Sequence, residues 1–357
     1  MRAEDKRGGA PPGEPLAGAP RSVRSEGSAP PHGAATAIKA LYREVAACTR
    51  CPTICGYRKF PWEAVGRPDT GLVLVGEAPG IASIRNARHW TGRAGMILRG
   101  EIRRLGLDLE DLFFLTNAVK CWPEAPGARE ANRAPRASEI ANCARFLEAE
   151  LRLLDPKVVV AVGAVAARAV LGRQVSFPRD HARSFRQGGR TVIVLLHPSN
   201  ANRFMGWAAY RASLLRIFRR LARHRPAPLP EVEVAAALIA RNGRYLITRR
   251  RGGQHLPGYW EFPGGKRRPG ESLEACLRRE LREELAIEVE VGEEVLAVAH
   301  PYPERRVRLH FFRCRLASSR VRPQEGQRYR WVRPGELATL PFPPADATLI
   351  RALAASG

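Results

Sequence analysis

The sequence predicts two folded domains, an α/β three-layer sandwich with a central parallel sheet and then an α+β domain with a mixed sheet and one prominent helix. Its 357 residues exceed the usual size of a single domain. The stretch 224–230 carries three prolines, which suits an extended spacer. We therefore expect a linker at 224–231, between domains at 36–223 and 232–357.

Continuous apolar runs alternate with amphipathic segments in the first of these regions. Such runs are typical of strands buried in a parallel sheet, and helical periodicity is typical of the connections between them. Beyond the linker, alternating segments such as 307–315 indicate shorter strands, and one helix is strongly marked at about 271–285. The elements predicted for the first region are strands at 72–75, 112–115, 158–162 and 192–196, and helices near 94–105, 137–153, 163–171 and 207–222.

Charge and composition indicate which partners and which cellular compartment to expect. Lys and Arg number 59 against 35 acidic residues, and the net charge of +24 indicates an anionic polymer or phosphates as partners, unless it only reflects an arginine-rich genome. No apolar run approaches the roughly 18 residues of a transmembrane helix, so no membrane partner is expected. An odd number of cysteines, seven, and no apolar leader indicate a reducing cytoplasm.

The first 35 residues are rich in Pro, Gly, Ala, Ser and Arg. They have almost no large apolar side chains whose burial could offset the entropy of ordering, so a disordered basic tail is expected. The tail is either a tether to nucleic acid or a solvated segment with no specific role.

Three glutamates of the C-terminal helix share one face, because Glu280, Glu283 and Glu284 stand at i, i+3 and i+4. Carboxylates crowded in this way repel one another unless a cation lies among them. Hard oxygen ligands suit Mg²⁺ or Mn²⁺, which can activate water and neutralise charge on a diphosphate. The alternative is an ordinary solvated acidic face.

The segment 265–284 around these glutamates resembles the Nudix box at every fixed position, and WEFPGGK at 260–266 is typical of the same family. Ala286 replaces the usual glycine near the helix exit. Within the family the chain is most similar to MutT-like hydrolases of oxidised purine nucleoside triphosphates such as 8-oxo-dGTP. This resemblance implies a metal site of Gly264, Glu280, Glu283, Glu284 and Glu325, with Arg279 orienting the carboxylates.

The same resemblance implies where a nucleotide binds. Arg250 ends the strand segment LITRR, and it corresponds to an arginine near the substrate phosphates. Phe262 and Asp346 correspond to positions that line the base pocket. Relatives often carry asparagine in place of Asp346, so the preferred base stays open.

Four cysteines of the first domain form a split set of thiolates, Cys48-x2-Cys51 with Cys121 and Cys143 far downstream. Such a set can close on zinc or on an iron-sulfur cluster, or the cysteines can be small buried hydrophobes. Cys55 is a spare thiol that we treat as structural.

Polar residues follow three of the predicted strands. Glu77 lies in GEAPG at 76–80, Asn117 follows the next strand, and His197 begins HPS at 197–199. In a parallel sheet the carboxyl ends of strands meet at one edge, so these side chains should converge at a site. Each of them taken alone is more typical of a satisfied loop residue.

Four motifs in the region 41–221 resemble the uracil-DNA glycosylase superfamily, particularly its four-cysteine, 4Fe-4S members. They are GEAPG, WTGRAG at 90–95, TNAVKC at 116–121 and HPS. The resemblance implies a 4Fe-4S cluster on the four cysteines and a pocket for a base extruded from DNA. In that pocket Trp90 would stack on the base, Asn117 would contact its Watson-Crick edge and His197 would stabilise the departing uracilate. Water and the pocket wall would be held by Gly76, Glu77, Ala78, Pro79 and Gly80.

The segment 200–204, together with Arg203, Arg211 and Arg216, either enters or flanks the DNA groove or forms a solvated helix face. Two departures from the iron-sulfur pattern concern base preference. Residues 81–84 read Ile-Ala-Ser-Ile where acidic residues are usual, and HPS-x2-N at 197–202 is similar to a sister group with broader specificity.

These observations favour a bifunctional genome-maintenance enzyme, in which one domain hydrolyses nucleoside triphosphates to monophosphate and pyrophosphate and the other excises uracil or another deaminated base. A second hypothesis makes the first domain a silent, DNA-binding damage sensor. A third, in which both domains are only interaction modules, conflicts with the complete carboxylate set. The sequence does not indicate oligomeric state.

Overall fold

The computed structural model describes residues 34–55, 65–127, 131–251, 256, 258–317, 320–324 and 326–355. Within these residues the chain divides into two compact units, one lying mainly before Pro226 and the other mainly from Ala227 onward. The segment 225–230 has no regular secondary structure. Of the predicted tail only Ala34 and Ala35 are described. They begin a helix, and the rest of the predicted tail lies outside the described residues.

The sheet of the first unit is mostly parallel. Its described strands are β1 (Leu72–Gly76), β2 (Phe114–Asn117), β3 (Val158–Val162), β4 (Ser184–Gln187) and β5 (Arg190–Leu195). They are arranged in the order β2-β1-β3-β5-β4, in which only the contact of β4 with β5 is antiparallel. The carboxyl ends of β1, β2, β3 and β5 therefore meet at one edge of the sheet.

Helices cover both faces of this sheet. Those described before residue 226 are α1 (Ala34–Ala47), α2 (Ile81–Arg85), α3 (Arg93–Arg103), α4 (Leu109–Leu112), α5 (Ala137–Leu154), α6 (Ala164–Leu171), α7 (Ala201–Phe204) and α8 (Trp207–Ala222). Alternate strand residues point to opposite faces. Leu74 packs in one core with Leu98 of α3 and Leu214 of α8, whereas Phe114 points the other way and meets the ring of Tyr42 on α1. The unit is a three-layer sandwich.

The second unit is built on a mixed sheet. Its described strands are β6 (Glu231–Arg241), β7 (Arg244–Arg249), β8 (Trp260–Glu261), β9 (Gly264–Lys266), β10 (Val289–Pro301), β11 (Arg306–Leu316) and β12 (Tyr329–Val332). Their order is β10-β11-β6-β7-β12, with β8 paired to β7 and β9 paired to β6. Strands β6 and β11 are parallel, and the other pairings are antiparallel.

Two separate cores flank this second sheet. On one face α9 (Leu273–Leu285) buries Leu277 and Leu281 against Phe312. On the other face lie α10 (Pro334–Leu337) and α11 (Ala347–Ala355), which buries Leu349 against Phe311. Because the apolar side of α9 is committed to the sheet, its charged side is left for the functional site.

The predicted fold class is confirmed, with differences at particular elements. The strand predicted from residue 112 begins at Phe114, because Leu112 ends the short helix α4, which a capping box at Asp108 starts. The edge strand β4 and helix α1 were not predicted. Helix α9 begins at Leu273, two residues later than predicted, after the N-cap Ser272. In the described part of the chain, no helix is long and apolar enough to cross a membrane.

Candidate functional sites of the two units

The acidic face of α9 is organised by Arg279. Its guanidinium donates to both carboxylate oxygens of Glu271, at 2.8 and 2.9 Å, and to Glu280 Oε1 at 2.7 Å. It also contacts Glu283 Oε2 at 3.2 Å. The Arg279 hydrogen bonds hold the pKa of Glu271 at about 2 and raise the pKa of Arg279 itself. Arg279 therefore supplies part of the positive charge that lets these carboxylates lie close together, in addition to the metal ion expected from the sequence.

The three glutamates differ in where they point. Glu280 and Glu284 line a pocket, whereas Glu283 is 48% exposed and lies near Arg268 and Arg279. Among the described residues no three His, Cys, Asp or Glu side chains are grouped to hold a single metal ion. Glu325 lies outside the described residues.

The pocket extends from α9 across the sheet and encloses about 1110 Å³ of empty space, including space open to solvent. It brings together six of the residues predicted from sequence: Arg250, Phe262, Gly264, Glu280, Glu284 and Asp346. Two close approaches shape the end near α9. A Cβ on Gly265 would overlap the carboxylate of Glu280, and one on Gly264, whose φ is +151°, would overlap the carbonyl of Ala235. Glycine is required at position 264, where the overlap is with backbone, whereas a side chain at position 265 would displace the Glu280 carboxylate.

The opposite end of the pocket contains a carboxyl pair beside an arginine. Arg250 Nη1 donates to Glu261 Oε2, and Asp346 is 3% exposed. Burial raises the pKa of Glu261 to about 7, although Arg250 opposes this. Burial and the neighbouring Glu261 raise the pKa of Asp346 to about 8. At neutral pH this end of the pocket can therefore present a protonated carboxyl group.

Sequence analysis missed several residues that line this pocket. Glu261 was quoted only as the second letter of the WEFPGGK motif, although it directly precedes Phe262. Arg305 and Tyr302 lie at the β10–β11 connection, where no motif identifies them. Phe262 lies in the pocket wall and also in an aromatic cluster, where its ring packs on Tyr245, Phe311 and Phe342.

At the edge of the first sheet, Gly76 and Asn117 end neighbouring strands and are register partners. A Cβ on Gly76 would overlap Asn117 Oδ1 and lie 2.8 Å from the ring of Trp90. The Trp90 ring lies 6.2 Å, centroid to centroid, from the ring of His197 beyond β5. The structure thus brings Gly76, Trp90, Asn117 and His197 together, and Glu77, which was predicted to converge with Asn117 and His197, directly follows Gly76.

A buried ion pair holds the backbone at Trp90. Arg99 of α3 donates to both oxygens of Glu110, at 2.8 and 2.6 Å, and both side chains are at most 2% exposed. The same guanidinium donates from Nε to the Trp90 carbonyl at 3.0 Å and from Nη2 to the His89 carbonyl. This anchoring stabilises Trp90 with φ at +58°, a conformation unusual for a bulky residue.

Two imidazoles in this region are neutral because they are buried. Ser199 N–H donates to His197 Nδ1 at 3.3 Å, and Ser199 Oγ lies 2.7 Å from the same atom. Burial lowers the pKa of His197, so its one proton is on Nε2, which is left as a donor. His89, which sequence analysis missed, has a pKa lowered to about 3 by burial. Its Nδ1 lies 3.4 Å from Asn117 Nδ2 and orients that amide.

The GEAPG loop turns around a side chain from elsewhere in the chain. Asn132 Oδ1 accepts from Ile81 N at 3.1 Å and from Trp122 Nε1 at 2.8 Å, directly beside Gly80. The backbone carbonyls of Gly76 and Glu77 accept from residues that follow β2. Burial raises the pKa of Glu77. Ala78 and Pro79 lie in the same loop, between Glu77 and Gly80.

All four predicted cysteine ligands line one small cavity, and Cys55 lines it too. Lys120 N–H donates to Cys143 Sγ at 3.3 Å, and Asn142 Nδ2 donates to Cys51 Sγ at 3.6 Å. Burial raises the pKa of the Cys143 thiol. Thiolates on one tetrahedral zinc ion lie roughly 4 Å apart. Among the described residues, the cysteines line one cavity but do not form a group arranged to hold a single metal ion.

The face predicted to meet DNA carries exposed cationic and aromatic side chains. Arg203 of α7 stacks over the exposed ring of Phe204, at 5.3 Å from its centroid. Arg211 is 56% exposed and lies 3.8 Å from Glu101, an ion pair too long and exposed to hold it firmly. Trp207 at the start of α8 is also exposed.

Two family models match the chain in succession. Residues 63–222 match the uracil DNA glycosylase superfamily, and residues 234–352 match the NUDIX domain. A type-4 uracil-DNA glycosylase of Thermotoga maritima is 36% identical over 164 residues, 45% of this chain and 81% of that protein. A CTP pyrophosphohydrolase of Escherichia coli is 39% identical over 124 residues, 35% of this chain and 92% of that protein. An 8-oxo-dGTP diphosphatase of Buchnera aphidicola is 37% identical over 110 residues, 31% of this chain and 86% of that protein.

The chain therefore belongs to two enzyme families, the uracil DNA glycosylase superfamily through its first unit and the NUDIX family through its second. Both families were predicted from sequence motifs, and both predictions are confirmed. The roles of individual site residues and the domain boundaries remain predictions.

The approach of Gly95 to Trp90 yields a matched test within helix α3. A Cβ on Gly95 would overlap the Trp90 backbone, whereas one on the exposed Gly100 meets nothing within 4 Å. We expect Gly95→Ala to lower the free energy of unfolding by about 1–3 kcal/mol. Gly100→Ala should instead raise it by up to about 1 kcal/mol through helix propensity. Urea unfolding measures both, and equal stability of the two variants would contradict the described position of Trp90.

Proposed function

We propose that the second unit is a metal-dependent hydrolase of nucleoside triphosphates that releases a nucleoside monophosphate and pyrophosphate. The pocket lined by both the α9 glutamates and the Asp346 carboxyl group supports this proposal, because phosphates could bind beside the glutamates and a base beside Asp346. Gly264, Glu280, Glu283, Glu284 and Glu325 would hold Mg²⁺ or Mn²⁺. The bound metal would activate water and neutralise charge on the phosphates.

The chain's own residues prepare the phosphate end for this reaction. Arg279 holds Glu280 by a 2.7 Å hydrogen bond, which limits the rotamers available to that carboxylate. Lys266 and Arg305 line the same pocket and would offset the charge of a triphosphate, whereas Arg250 is paired with Glu261 beside Asp346. The reaction adds a water oxygen to a phosphorus atom and breaks the phosphoanhydride bond, with pyrophosphate as leaving group.

Two triphosphates are candidates for the base end. The similarity to 8-oxo-dGTP diphosphatase favours an oxidised purine. The buried Asp346 favours a cytosine nucleotide, the substrate named for the Escherichia coli relative. A neutral carboxyl group has one O–H donor and one carbonyl acceptor, which complement N3 and the amino group of cytosine. An ionised Asp346 would only accept hydrogen bonds, which suits the N–H groups of a guanine edge.

For the carboxylates, Glu283→Gln and Glu284→Gln should each lower the rate of magnesium-dependent triphosphate hydrolysis on the order of 100-fold or more, since a metal ligand loses its charge. Glu274→Gln, on the same helix but outside the pocket, is the matched control and should hydrolyse at the wild-type rate. Pyrophosphate release measures the rates, and circular dichroism verifies the fold. Full magnesium-dependent turnover by both variants would eliminate the metal assignment.

The protonation of Asp346 can be tested through pH. As pH rises from 6 to 9 through its folded pKa of about 8, the carboxyl group loses the proton that cytosine needs. We therefore expect kcat/KM for CTP to fall with rising pH relative to that for 8-oxo-dGTP. Asp346→Asn keeps a donor and an acceptor but does not titrate, so the change in preference around pH 8 should disappear. A wild-type preference that is constant from pH 6 to 9 would contradict this role.

For the first unit we propose excision of uracil, or a related deaminated base, from DNA. The juxtaposition of Trp90, Asn117 and His197 at the sheet edge supports this proposal. A base rotated out of the duplex would stack on Trp90 and pair with the Asn117 amide. His197 Nε2–H would donate to the base oxygen that gains negative charge as the C–N glycosidic bond breaks, and water would add to the sugar carbon. Glu77 and its loop would hold that water.

DNA binding by this unit fits the charge of the chain, +24, and the exposed arginines near α7 and α8. The alternative is a silent glycosylase that only binds damaged DNA. The hydrogen bond from Ser199 N–H to His197 Nδ1 favours catalysis, because it leaves Nε2–H as an oriented donor, which a sensor without chemistry does not need.

Variants of the two units provide mutual controls. Asn117→Ala removes the amide that contacts the base, and it should lower uracil excision from an oligonucleotide on the order of 100-fold while triphosphate hydrolysis is unchanged. Glu284→Gln should have the reverse effect. Cleavage of the abasic product by alkali measures excision. No excision by the wild-type chain on uracil, hypoxanthine or xanthine oligonucleotides would establish the silent alternative.

We further propose that Cys48, Cys51, Cys121 and Cys143 hold a 4Fe-4S cluster. Their arrangement around one cavity and the similarity to type-4 glycosylases support it. Four thiolates can supply its ligands, and the Lys120 N–H donated to Cys143 is the type of contact that tunes such a group. The purified protein should be brown and contain iron and acid-labile sulfide. Zinc in a colourless preparation would refute this cofactor.

A further inference from the structure

A fully buried polar network lies beside the cysteine cavity. Its centre is an ion pair between Lys120 Nζ and Glu150 Oε2, 2.7 Å apart, with side chains 6% and 0% exposed. Lys120 Nζ also donates to Thr116 Oγ1 at 2.6 Å and to the Asn117 carbonyl at 2.8 Å. Glu150 accepts further hydrogen bonds from Tyr42 and Thr116, each 2.8 Å long. All three ammonium protons of Lys120 thus have acceptors.

Each segment that carries a cysteine of the proposed cluster also carries a member of this network. Tyr42 is on α1, which leads to Cys48 and Cys51. Lys120 directly precedes Cys121, and Glu150 is on α5 with Cys143. The network therefore connects the cysteine-bearing segments to one another by hydrogen bonds and an ion pair.

Lys120 contacts both sites of the first unit. Its backbone N–H donates to Cys143 Sγ, while its ammonium group holds the carbonyl of Asn117 at the end of β2. A small cavity between the two sites is lined by Tyr42, His89, Thr116, Asn117 and Lys120. Lys120 alone therefore connects the Cys143 thiol to the residue that carries the Asn117 amide.

Stability alone does not explain a network of this kind. Burying each charge costs several kcal/mol, and buried ion pairs can often be replaced by apolar residues with no loss of stability. The Lys120–Glu150 pair does have a consequence that apolar residues cannot reproduce. It fixes the carbonyl and strand end that carry Asn117 by directional hydrogen bonds.

We propose that Lys120 is a positioning residue, which couples the orientation of Asn117 to the state of the four-cysteine site. This inference rests on the base-excision function proposed above. Lys120 touches neither base nor cluster metal through its ammonium group. It acts through Asn117 on one side and through Cys143 on the other.

The variant chosen to test this coupling is Tyr42→Phe/Lys120→Met/Glu150→Leu, which removes the pair and its phenol partner together so that no buried charge is left alone. Lys157→Met, at an exposed lysine of the same unit, is the matched control. We expect the triple variant to keep the wild-type iron content and unfolding midpoint. Its single-turnover rate of uracil excision should fall about 10- to 100-fold at unchanged KM. Losses of this size are typical when a residue that orients a functional side chain is removed. Excision within twofold of the Lys157→Met control would overturn the proposal.

Hydrogen-deuterium exchange provides a readout that needs neither activity nor a variant. Removal of iron from the wild-type chain with a chelator should increase exchange across residues 114–121, because Cys143 is released from its anchor. In the triple variant that exchange should be high already and change little. Unaltered exchange at 114–121 in the iron-depleted wild type would contradict the coupling. If the wild type excises no uracil but iron removal loosens 114–121, the coupling stands and the excision function is eliminated.

Discussion

Opposite charges at hydrogen-bonding distance hold the functional side chains of this protein. Arg279 joins Glu271, Glu280 and Glu283 on the charged side of α9, so that carboxylates which would repel one another stay together. In the first unit Arg99 with Glu110 does the same for the backbone around Trp90. The first network is partly solvated and the second is buried, where an unpaired charge would cost several kcal/mol. Loss of either partner therefore affects the site more than loss of an apolar contact would.

Two glycines leave room for functional side chains to lie against the backbone. Gly265 lets the Glu280 carboxylate approach the β9 backbone, and Gly76 makes room for the Asn117 amide beside the Trp90 ring. Neither position is occupied by glycine because of a turn alone. The absence of a Cβ defines the space in which a phosphate or a base would be held.

The two units use burial in opposite ways. In the first, burial lowers the pKa of His89 and His197, which keeps both imidazoles neutral and leaves them as directional hydrogen-bonding groups. In the second, burial raises the pKa of Asp346 and Glu261, which converts carboxylates into groups that can share a proton. Both outcomes follow from the cost of an ion in a poorly solvated site.

The motifs of the sequence determined the families, the fold class and most candidate site residues, because each motif is local. The i, i+3, i+4 spacing of the α9 glutamates and the polar residues at strand ends depend only on helix and strand periodicity. The tertiary structure alone decided which distant partners complete the sites. Arg99 meets Glu110, Glu150 meets Lys120, and Arg250 meets Glu261 through contacts that no local pattern encodes. On α9 the sequence already indicated Arg279 beside the glutamates, but only the structure adds Glu271, eight residues away, to the partners of Arg279, because Glu271 precedes the helix and its position depends on the connection from β9.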